Sequence, residues 1–155
     1  MQIQVDTREH KQEWERISQQ LDSLGVTYFR SKLFVGDYCD VDHPRVVVDR
    51  KKNLEELCGN VCQQHERFRS ELIRARDNGF KLIILVEHGH GVESLEDVYF
   101  WENPRRKVSP KAINGSQLYK SLVTIRDEYG VDFEFCNKLH TGERIVKLLG
   151  GGSNG

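Results

Sequence analysis

The stretch Val46-Val47-Val48-Asp49-Arg50-Lys51 decides the fold, because it places charged side chains at the end of an apolar β-strand. Side chains alternate across a strand, so Asp49 and Lys51 project to one side while Arg50 projects to the other. A carboxylate and a lysine on one strand face can hold a divalent metal ion and keep a charge-stabilising group beside it. The stretch therefore predicts a buried strand that ends in a hydrolytic site.

Two further acidic residues lie close to this stretch in the sequence. Asp37 follows the turn residue Gly36, and Glu55 comes shortly after Lys51. With Asp49 and Lys51 they form the D…(D/E)-x-K pattern that is typical of metal-dependent nucleases. We predict that the carboxylates hold Mg²⁺ or Mn²⁺ and that Lys51 orients the attacking water or neutralises developing negative charge. The alternative is a set of solvated strand-end carboxylates with a surface ion pair, which would stabilise little.

Five short blocks of charged and apolar residues follow one another along the first part of the chain. They are Val5-Asp6-Thr7-Arg8-Glu9, Gly36-Asp37-Tyr38, Asp49-Arg50-Lys51-Lys52-Asn53-Leu54-Glu55, Arg67-Phe68-Arg69-Ser70-Glu71 and Leu82-Ile83-Ile84-Leu85-Val86-Glu87. In this order they resemble the XPF-type (ERCC4-domain) structure-specific nuclease family, and an ordered series is more specific than any one block. The family's usual Glu before Arg-Lys is Asp49 here, and its usual final Asp is Glu55. Both positions keep a carboxylate with a reach changed by one methylene.

The resemblance implies an α/β fold of the restriction-endonuclease-like type, PD-(D/E)XK, with a central mixed sheet flanked by helices. It also implies roles for particular residues. The implied catalytic residues are Asp37, Asp49, Arg50, Lys51 and Glu55; the implied metal ligands are Asp37, Asp49, Asp6 and Glu9; and Arg8 and Arg67 are implied to contact DNA. Because Arg50 projects away from Asp49, we expect it to support the site from behind.

The same residues also allow plainer interpretations. Asp6, Glu9 and Glu55 stand near expected helix starts, where acidic side chains complement the helix dipole. Arg67 and Glu71 are four residues apart on an expected helix and could form a surface ion pair worth a few tenths of a kcal/mol. The resemblance favours the site roles over these alternatives, since it accounts for all the blocks together.

Composition and charge are those of one compact domain. The chain has 155 residues, of which 30% are charged, and its formal net charge is −1. It is therefore not a polycation that coats nucleic acid without selectivity. We expect one nuclease-like domain over residues 1–150 and a flexible Gly-rich tail over residues 151–155. No apolar run approaches the ~20 residues needed to span a bilayer, and the N-terminus does not resemble a signal peptide. We expect no membrane partner and a cytoplasmic or nucleoid location, or a nuclear one in a eukaryote.

Apolar periodicity predicts alternating strands and helices. Strands are expected over residues 3–5, 27–32, 36–40, 46–51, 81–87 and 132–136. Helices are expected over a segment ended by Gly25, from residue 54 to residue 78, over residues 116–129 with Ser116 as a possible cap, and over residues 141–149. Residues 92–101 fit either a helix or an irregular lid.

A basic segment lies between two prolines after this stretch. It carries Arg105, Arg106 and Lys107, and Trp101 precedes it. The cations could clamp a DNA backbone while the indole stacks on a splayed base. The alternative is a solvated, mobile loop. We include the three cations among the predicted DNA contacts.

Together these observations predict a Mg²⁺- or Mn²⁺-dependent endonuclease, and the resemblance adds branched DNA as its substrate: flaps, forks or nicked junctions. XPF-like enzymes commonly carry a helix-hairpin-helix module after the nuclease domain, and the family dimerises through that domain. We therefore expect a homodimer or a partner that carries a separate DNA-binding module. Two alternatives remain: a non-catalytic DNA-binding or scaffold subunit, and a restriction or recombination nuclease of the wider superfamily.

Overall fold

A central six-stranded sheet organises the part of the chain described by the computed structural model, residues 1–89 and 91–150. The tail predicted over residues 151–155 lies outside these residues. The strands are β1 (Gln2–Val5), β2 (Thr27–Arg30), β3 (Tyr38–Asp40), β4 (His43–Lys51), β5 (Lys81–Glu87) and β6 (Asp132–Cys136). Their order across the sheet is β2-β1-β3-β4-β5-β6.

The sheet is mixed, as predicted. β1 pairs in parallel with β2, and β4, β5 and β6 form a parallel set. β3 joins the two parts by pairing antiparallel with both β1 and β4. β4 therefore has a neighbour on each side, which accounts for its apolar run of three valines.

Five helices cover the two faces of this sheet in the described residues. They are α1 (Lys11–Ser23), α2 (Leu54–Cys62), α3 (His65–Asp77), α4 (Gly115–Tyr129) and α5 (Thr141–Gly150). α1 and α5 pack on one face, and α2, α3 and α4 pack on the other. None of the described helices combines the length and the apolar character that a membrane crossing requires.

Alternation along β4 divides its side chains between two separate cores. Val47 packs with Leu54 and Phe68 in the core beneath α2 and α3. Val48 packs with Ile17 of α1 in the opposite core. By the same alternation, the odd-numbered charged residues that follow face α2 and α3, and the even-numbered one faces α1 and α5.

Apart from strand bounds that differ by up to three residues, local structure differs from the sequence prediction between α2 and α3 and at the cap of α4, and it resolves the open choice over residues 92–101. The single helix expected from residue 54 to residue 78 is interrupted at Gln63 and Gln64, whose N–H groups both donate to the carbonyl of Gly59. The cap of α4 is Asn114 rather than Ser116, because Asn114 and Gln117 exchange side-chain and backbone hydrogen bonds in a capping box. Residues 92–101, for which a helix and a lid were both considered, contain a short 3-10 turn at Glu96–Phe100.

Two helical glycines should respond in opposite ways to substitution by alanine. A Cβ on Gly115 would lie 2.5 Å from the carbonyl oxygens of Val98 and Trp101, whereas a Cβ on Gly59 would meet nothing within 4 Å. We expect Gly115→Ala to lower the free energy of unfolding by about 1–3 kcal/mol through overpacking. Gly59→Ala should raise it by about 0.5–1 kcal/mol, because alanine restricts the unfolded chain. Urea denaturation of both variants checks this, and a neutral Gly115→Ala would contradict the packing described here.

Candidate active site

The cleft begins where the turn before β3 runs alongside the end of β4. Gly36 has a left-handed φ of 77°, and a Cβ there would come within 3.2 Å of the Val48 carbonyl oxygen. Asp37 donates its N–H to that same carbonyl at 2.8 Å, and its Oδ2 accepts the N–H of Arg50 at 2.8 Å. These backbone contacts hold the Asp37 carboxyl group against that of Asp49.

Asp49 and Lys51 project from β4 into the same cleft. Their side chains are 8% and 11% exposed, and Lys51 Nζ lies 3.4 Å from Asp49 Oδ2. The ammonium also lies 5.6 Å from the centre of the Phe68 ring, which belongs to α3. Phe68 therefore limits the movement of Lys51 and shields the ion pair from water, so the pair is not the exposed surface bridge that the sequence also allowed.

Glu71 of α3 is the third carboxyl group of the cleft. It interacts directly with Asp49 and lies near Lys51. In the sequence, only the family helix block predicts that Glu71 faces the cleft, and Glu71 is not among the predicted metal ligands. The available signal was its spacing: it follows Phe68 by three residues, and one helical turn brings the side chain of residue 71 beside that of residue 68.

Basic side chains surround these carboxyl groups. A cavity of about 220 Å³ is lined by Arg8, Val35, Gly36, Asp37, Asp49, Glu71 and Arg74. An adjoining cavity of about 340 Å³ is lined by Arg8, Lys51, Asn60, Gln64, Arg67, Phe68, Ser70, Glu71 and Arg74. Arg8, Glu71 and Arg74 border both cavities, which therefore form one cleft with an acidic floor and a basic rim.

The three carboxyl groups have strongly displaced pKa values. Burial and the negative charge of Asp49 raise the pKa of Glu71 to about 9. Burial and the same neighbour raise the pKa of Asp37 well above its ordinary value. Burial also disfavours charge on Asp49, but the ammonium of Lys51 and hydrogen bonds from the neighbouring carboxyl groups outweigh it and lower the pKa of Asp49. Near neutral pH, Glu71 thus keeps its proton beside the ionised Asp49, and the raised pKa of Asp37 favours its neutral form.

The donor set suits a divalent metal ion with hard oxygen ligands. Asp49 Oδ2 and Glu71 Oε1 are buried oxygens that receive no hydrogen bond from any residue in the described ranges. Those ranges contain no group of three or more His, Cys, Asp or Glu side chains already arranged around a common metal position. Asp37, Asp49 and Glu71 instead contact one another and share protons, so binding of Mg²⁺ would require loss of these protons.

Asp6 stands beside the cleft but is bonded to protein groups. Its side chain is fully buried and accepts hydrogen bonds from Arg8 Nε at 2.7 Å and from the Leu33 N–H at 2.8 Å. Arg8 is 63% exposed and extends from this anchor into the cleft. Its oxygens orient Arg8 and the loop at Leu33, and the role of Asp6 as a metal ligand stays a prediction. Arg8 itself borders both cavities, and its contact with DNA stays a prediction.

Glu9 and Arg50 lie on the opposite face of the sheet from the cleft. Arg50 Nη2 donates to Glu9 Oε1 at 2.6 Å and Arg50 Nε donates to Glu9 Oε2 at 2.9 Å. Tyr38 donates its hydroxyl to Glu9 Oε2 at 2.7 Å. Burial opposes charge on Glu9, but the guanidinium of Arg50 lowers its pKa below the ordinary value. Glu9 is consequently unable to reach the carboxyl groups of the cleft, and its prediction as a metal ligand is corrected.

Arg50 bonds a second buried carboxylate on the same face. Its Nη1 donates to Glu87 at the end of β5. Glu87 also accepts hydrogen bonds from Arg16 of α1, at 3.0 Å, and from the hydroxyl of Thr141 in α5. The expectation that Arg50 supports the site from behind agrees with this geometry, in which it contacts the site only through its backbone N–H to Asp37.

The structure separates Glu55 from the cleft. Glu55 is exposed in the first turn of α2 and lines a different cavity, of about 310 Å³, together with Cys58 and Arg105. A position at the start of a helix fits the helix-dipole interpretation of this carboxylate. Its prediction as a catalytic residue is corrected, because α2 directs the side chain away from Asp37 and Asp49.

The basic segment also lies away from the carboxyl groups. Arg105, Arg106 and Lys107 are exposed in a 3-10 turn, Pro104–Lys107. Arg106 donates a hydrogen bond to the Ala112 carbonyl at 2.6 Å. Trp101 is half-buried and contacts His88 edge-on at 6.3 Å between ring centres. Arg67, in contrast, borders the cleft beside Lys51, as the family helix block indicated.

A model of the ERCC4 domain matches residues 5–149. The chain belongs to the ERCC4 domain family. Among solved structures, this ERCC4 domain is similar to XPF from Aeropyrum pernix, with a TM-score of 0.70, 23% identity and coverage of 99% of this chain and 65% of that chain. It is also similar to XPF from the same organism in complex with DNA, with a TM-score of 0.68, 22% identity and the same coverages. No curated protein matches the chain.

These similarities establish the fold of the ERCC4 domain. Its six-stranded mixed sheet with flanking helices is restriction-endonuclease-like, and that prediction is confirmed. The chain spans 65% of the length of each similar XPF structure, so it corresponds to part of those proteins.

Replacing the ionisable carboxyl group of Glu71 should stabilise the metal-free ERCC4 domain at alkaline pH. Its pKa in the folded protein is about 9 against an ordinary value of 4.5, so between these values the unfolded chain loses a proton that the folded chain keeps. Stability contributed by the neutral acid is therefore present below pH 4.5 and is lost as pH rises toward 9. We expect Glu71→Gln to raise the free energy of unfolding at pH 8 in EDTA by about 1–3 kcal/mol.

Thermal unfolding of both proteins between pH 5 and pH 9 measures this effect. Glu128→Gln in α4, an exposed glutamate, serves as the control and should leave the slope of stability against pH unchanged. A Glu71→Gln variant with the same pH slope as the parent would show that Glu71 is already ionised in the folded state.

Loss of Arg50 should destabilise the fold far more than loss of a surface arginine. Arg50→Ala leaves Glu9 and Glu87, which are 5% and 3% exposed in their side chains, without a shared counterion. We expect the free energy of unfolding to fall by about 3–5 kcal/mol. Arg126→Ala removes an exposed partner of Asp127 and should cost at most about 1 kcal/mol. If urea denaturation gave equal losses of unfolding free energy for Arg50→Ala and Arg126→Ala, the ion pairs of Arg50 with Glu9 and Glu87 would not be central to stability.

Proposed function

We propose that this ERCC4 domain is a metal-dependent, structure-specific DNA endonuclease that hydrolyses phosphodiesters in branched DNA. One observation carries the proposal: Asp37, Asp49 and Glu71 meet beside Lys51 in a cleft whose rim is basic. An acidic floor suits a divalent cation, and a basic rim suits the phosphates on either side of the reacting one. A purely structural cluster would gain nothing from three adjacent buried carboxyl groups.

The proposed ligands of Mg²⁺ or Mn²⁺ are Asp37, Asp49 and Glu71. When bound, such an ion supplies Lewis-acid polarisation of a phosphate oxygen and lowers the pKa of a coordinated water. Asp49 keeps its negative charge because Lys51 lies 3.4 Å away. It is therefore the carboxylate available to a cation at neutral pH, whereas the raised pKa values of Asp37 and Glu71 favour their protonated forms.

Lys51 is the proposed catalytic cation. Burial opposes its charge, but Asp49 and Glu71 raise its pKa, so it stays protonated. A fixed ammonium in a cleft of low polarity can orient the attacking water and stabilise negative charge that develops on the phosphate. Arg8, Arg67 and Arg74 line the rim at positions suited to phosphates of the DNA backbone.

The substrate and the assembly are part of the same proposal. Membership of the ERCC4 family and the likeness to an XPF structure solved in complex with DNA support DNA as the ligand. The preference for flaps, forks or nicked junctions rests on the family resemblance. Because the similar XPF chains are longer than this one, we propose that selectivity comes from a homodimer or from a separate DNA-binding module in the assembly.

Cleavage of end-labelled DNA tests the proposed function. The substrates are a flap, a fork, a nicked junction and a linear duplex, each with Mg²⁺, Mn²⁺ or EDTA. We expect cutting of the branched substrates that requires metal, is abolished by Asp49→Asn and falls about 100-fold or more in Lys51→Ala, since a buried charge-stabilising group is lost. Lys52→Ala and Asp132→Asn, exposed residues of the same types, should cut normally.

Two results would contradict the proposal. Cutting that survives Asp49→Asn would come from another site or a contaminant. Tight binding of branched DNA with no cutting under any metal would instead support a non-catalytic DNA-binding or scaffold subunit, the alternative that the sequence left open.

A further inference from the structure

A phenylalanine stands exposed directly beside the acidic cleft. Phe34 precedes Asp37 by three residues in the turn that positions this carboxyl group, yet 57% of its surface is accessible to solvent. Its neighbours in the turn, Leu33 and Val35, are buried. Leu33 and Val35 therefore anchor the turn in the core, while the ring of Phe34 between them faces solvent.

Phe34 is held in place by aromatic and cationic contacts. Its ring centre lies 6.0 Å from that of Phe80. The guanidinium of Arg74 lies 5.7 Å from the Phe34 ring, and Arg74 also donates a hydrogen bond to the Phe34 carbonyl at 3.3 Å. Arg45 lies 5.2 Å from the Phe80 ring and is fixed by a 2.6 Å hydrogen bond to the Asn78 carbonyl. We call Phe34, Phe80, Arg74 and Arg45 the aromatic platform.

The aromatic platform is continuous with the cleft. Arg74 extends from α3, one helical turn after Glu71, and lines both parts of the cleft. The same side chain therefore contacts the exposed ring on one side and borders the metal-binding carboxyl groups on the other. Phe34 itself lines neither cavity, but its neighbours Val35 and Arg74 do, so a ligand that extends past Arg74 out of the cleft reaches the Phe34 ring.

We propose that the aromatic platform receives an unpaired base of the DNA next to the phosphate in the cleft. This inference rests on the proposed function and gives a physical basis for selecting branched DNA. A base in a duplex is stacked on its neighbours and cannot reach a protein ring, whereas a base at a fork or flap can. Phe34 then reads the presence of a single strand through stacking, which is independent of base identity.

The composition of the aromatic platform favours a nucleotide over an apolar protein segment. Two guanidinium groups flank two phenyl rings, so the surface offers stacking faces together with positive charge for the adjoining phosphates. A buried protein interface of this size would be expected to exclude most of the charge at its centre.

The test compares binding of forked and blunt DNA by Phe34 variants. Each probe carries 2-aminopurine at the first unpaired position or at the equivalent paired position, and Ca²⁺ replaces Mg²⁺ to prevent cutting. We expect Phe34→Ala to weaken binding of the fork about 10-fold, to lose the quenching of 2-aminopurine, and to change binding of the blunt duplex less than about 2-fold. Phe34→Trp should retain fork binding and quenching.

Phe100→Ala is the matched control, because Phe100 is 80% exposed and neither it nor the residues beside it in the chain line the cleft. Equal fork affinity for Phe34→Ala and Phe100→Ala would overturn the inference. So would an equal loss on fork and duplex, or a change in oligomeric state by light scattering without a change in fork affinity. Cutting by the parent protein together with an unaffected Phe34→Ala would reject the aromatic platform while leaving the proposed nuclease intact.

Discussion

Arg50 donates hydrogen bonds to two buried carboxylates, Glu9 before α1 and Glu87 at the end of β5, from the strand that also carries Asp49 and Lys51. Its main-chain N–H holds Asp37. The side chain of Arg50 therefore ties β4 to the helices on one face, while its backbone and its neighbours build the cleft on the other. A β-strand makes this possible because adjacent residues serve opposite faces.

The cleft is organised for binding rather than for stability. Asp37, Asp49 and Glu71 bring three acidic groups into a partly dry space beside Lys51, and the pKa values of Asp37 and Glu71 are raised as a result. Such a cluster is destabilising in the absence of a cation. The opposite face compensates: there Glu9 and Glu87 have guanidinium and hydroxyl partners, and the apolar contacts of α1 and α5 surround them. Stability and chemistry are thus assigned to different sides of one sheet.

The sequence predicts the site best where charged residues occupy alternating positions of a single strand. The alternation of Asp49, Arg50 and Lys51 determines which side chains share a face, and the structure agrees with it. Glu9 and Glu55 are expected in the site because they match acidic positions of the family blocks. In the structure Glu9 bonds to Arg50 on the opposite face of the sheet, and Glu55 lines a different cavity beside α2. Glu71 lies on a helix and follows Lys51 by twenty residues in the sequence, so only tertiary packing brings it to Asp49.

The capping box of Asn114 was missed because Ser116, two residues later, is also a good cap.

The strict alternation along β4 also determines where the chain tolerates changes in length. Inserting or deleting one residue between Val46 and Lys51 would exchange the two faces, sending carboxylate and ammonium into the core and the guanidinium into the cleft. The connection between β3 and β4, where the pairing register already shifts between Cys39 and Asp40, carries no such restriction. Natural relatives of this chain should therefore vary in the number of residues that separate Tyr38 from Val46, and keep the following six positions without gaps.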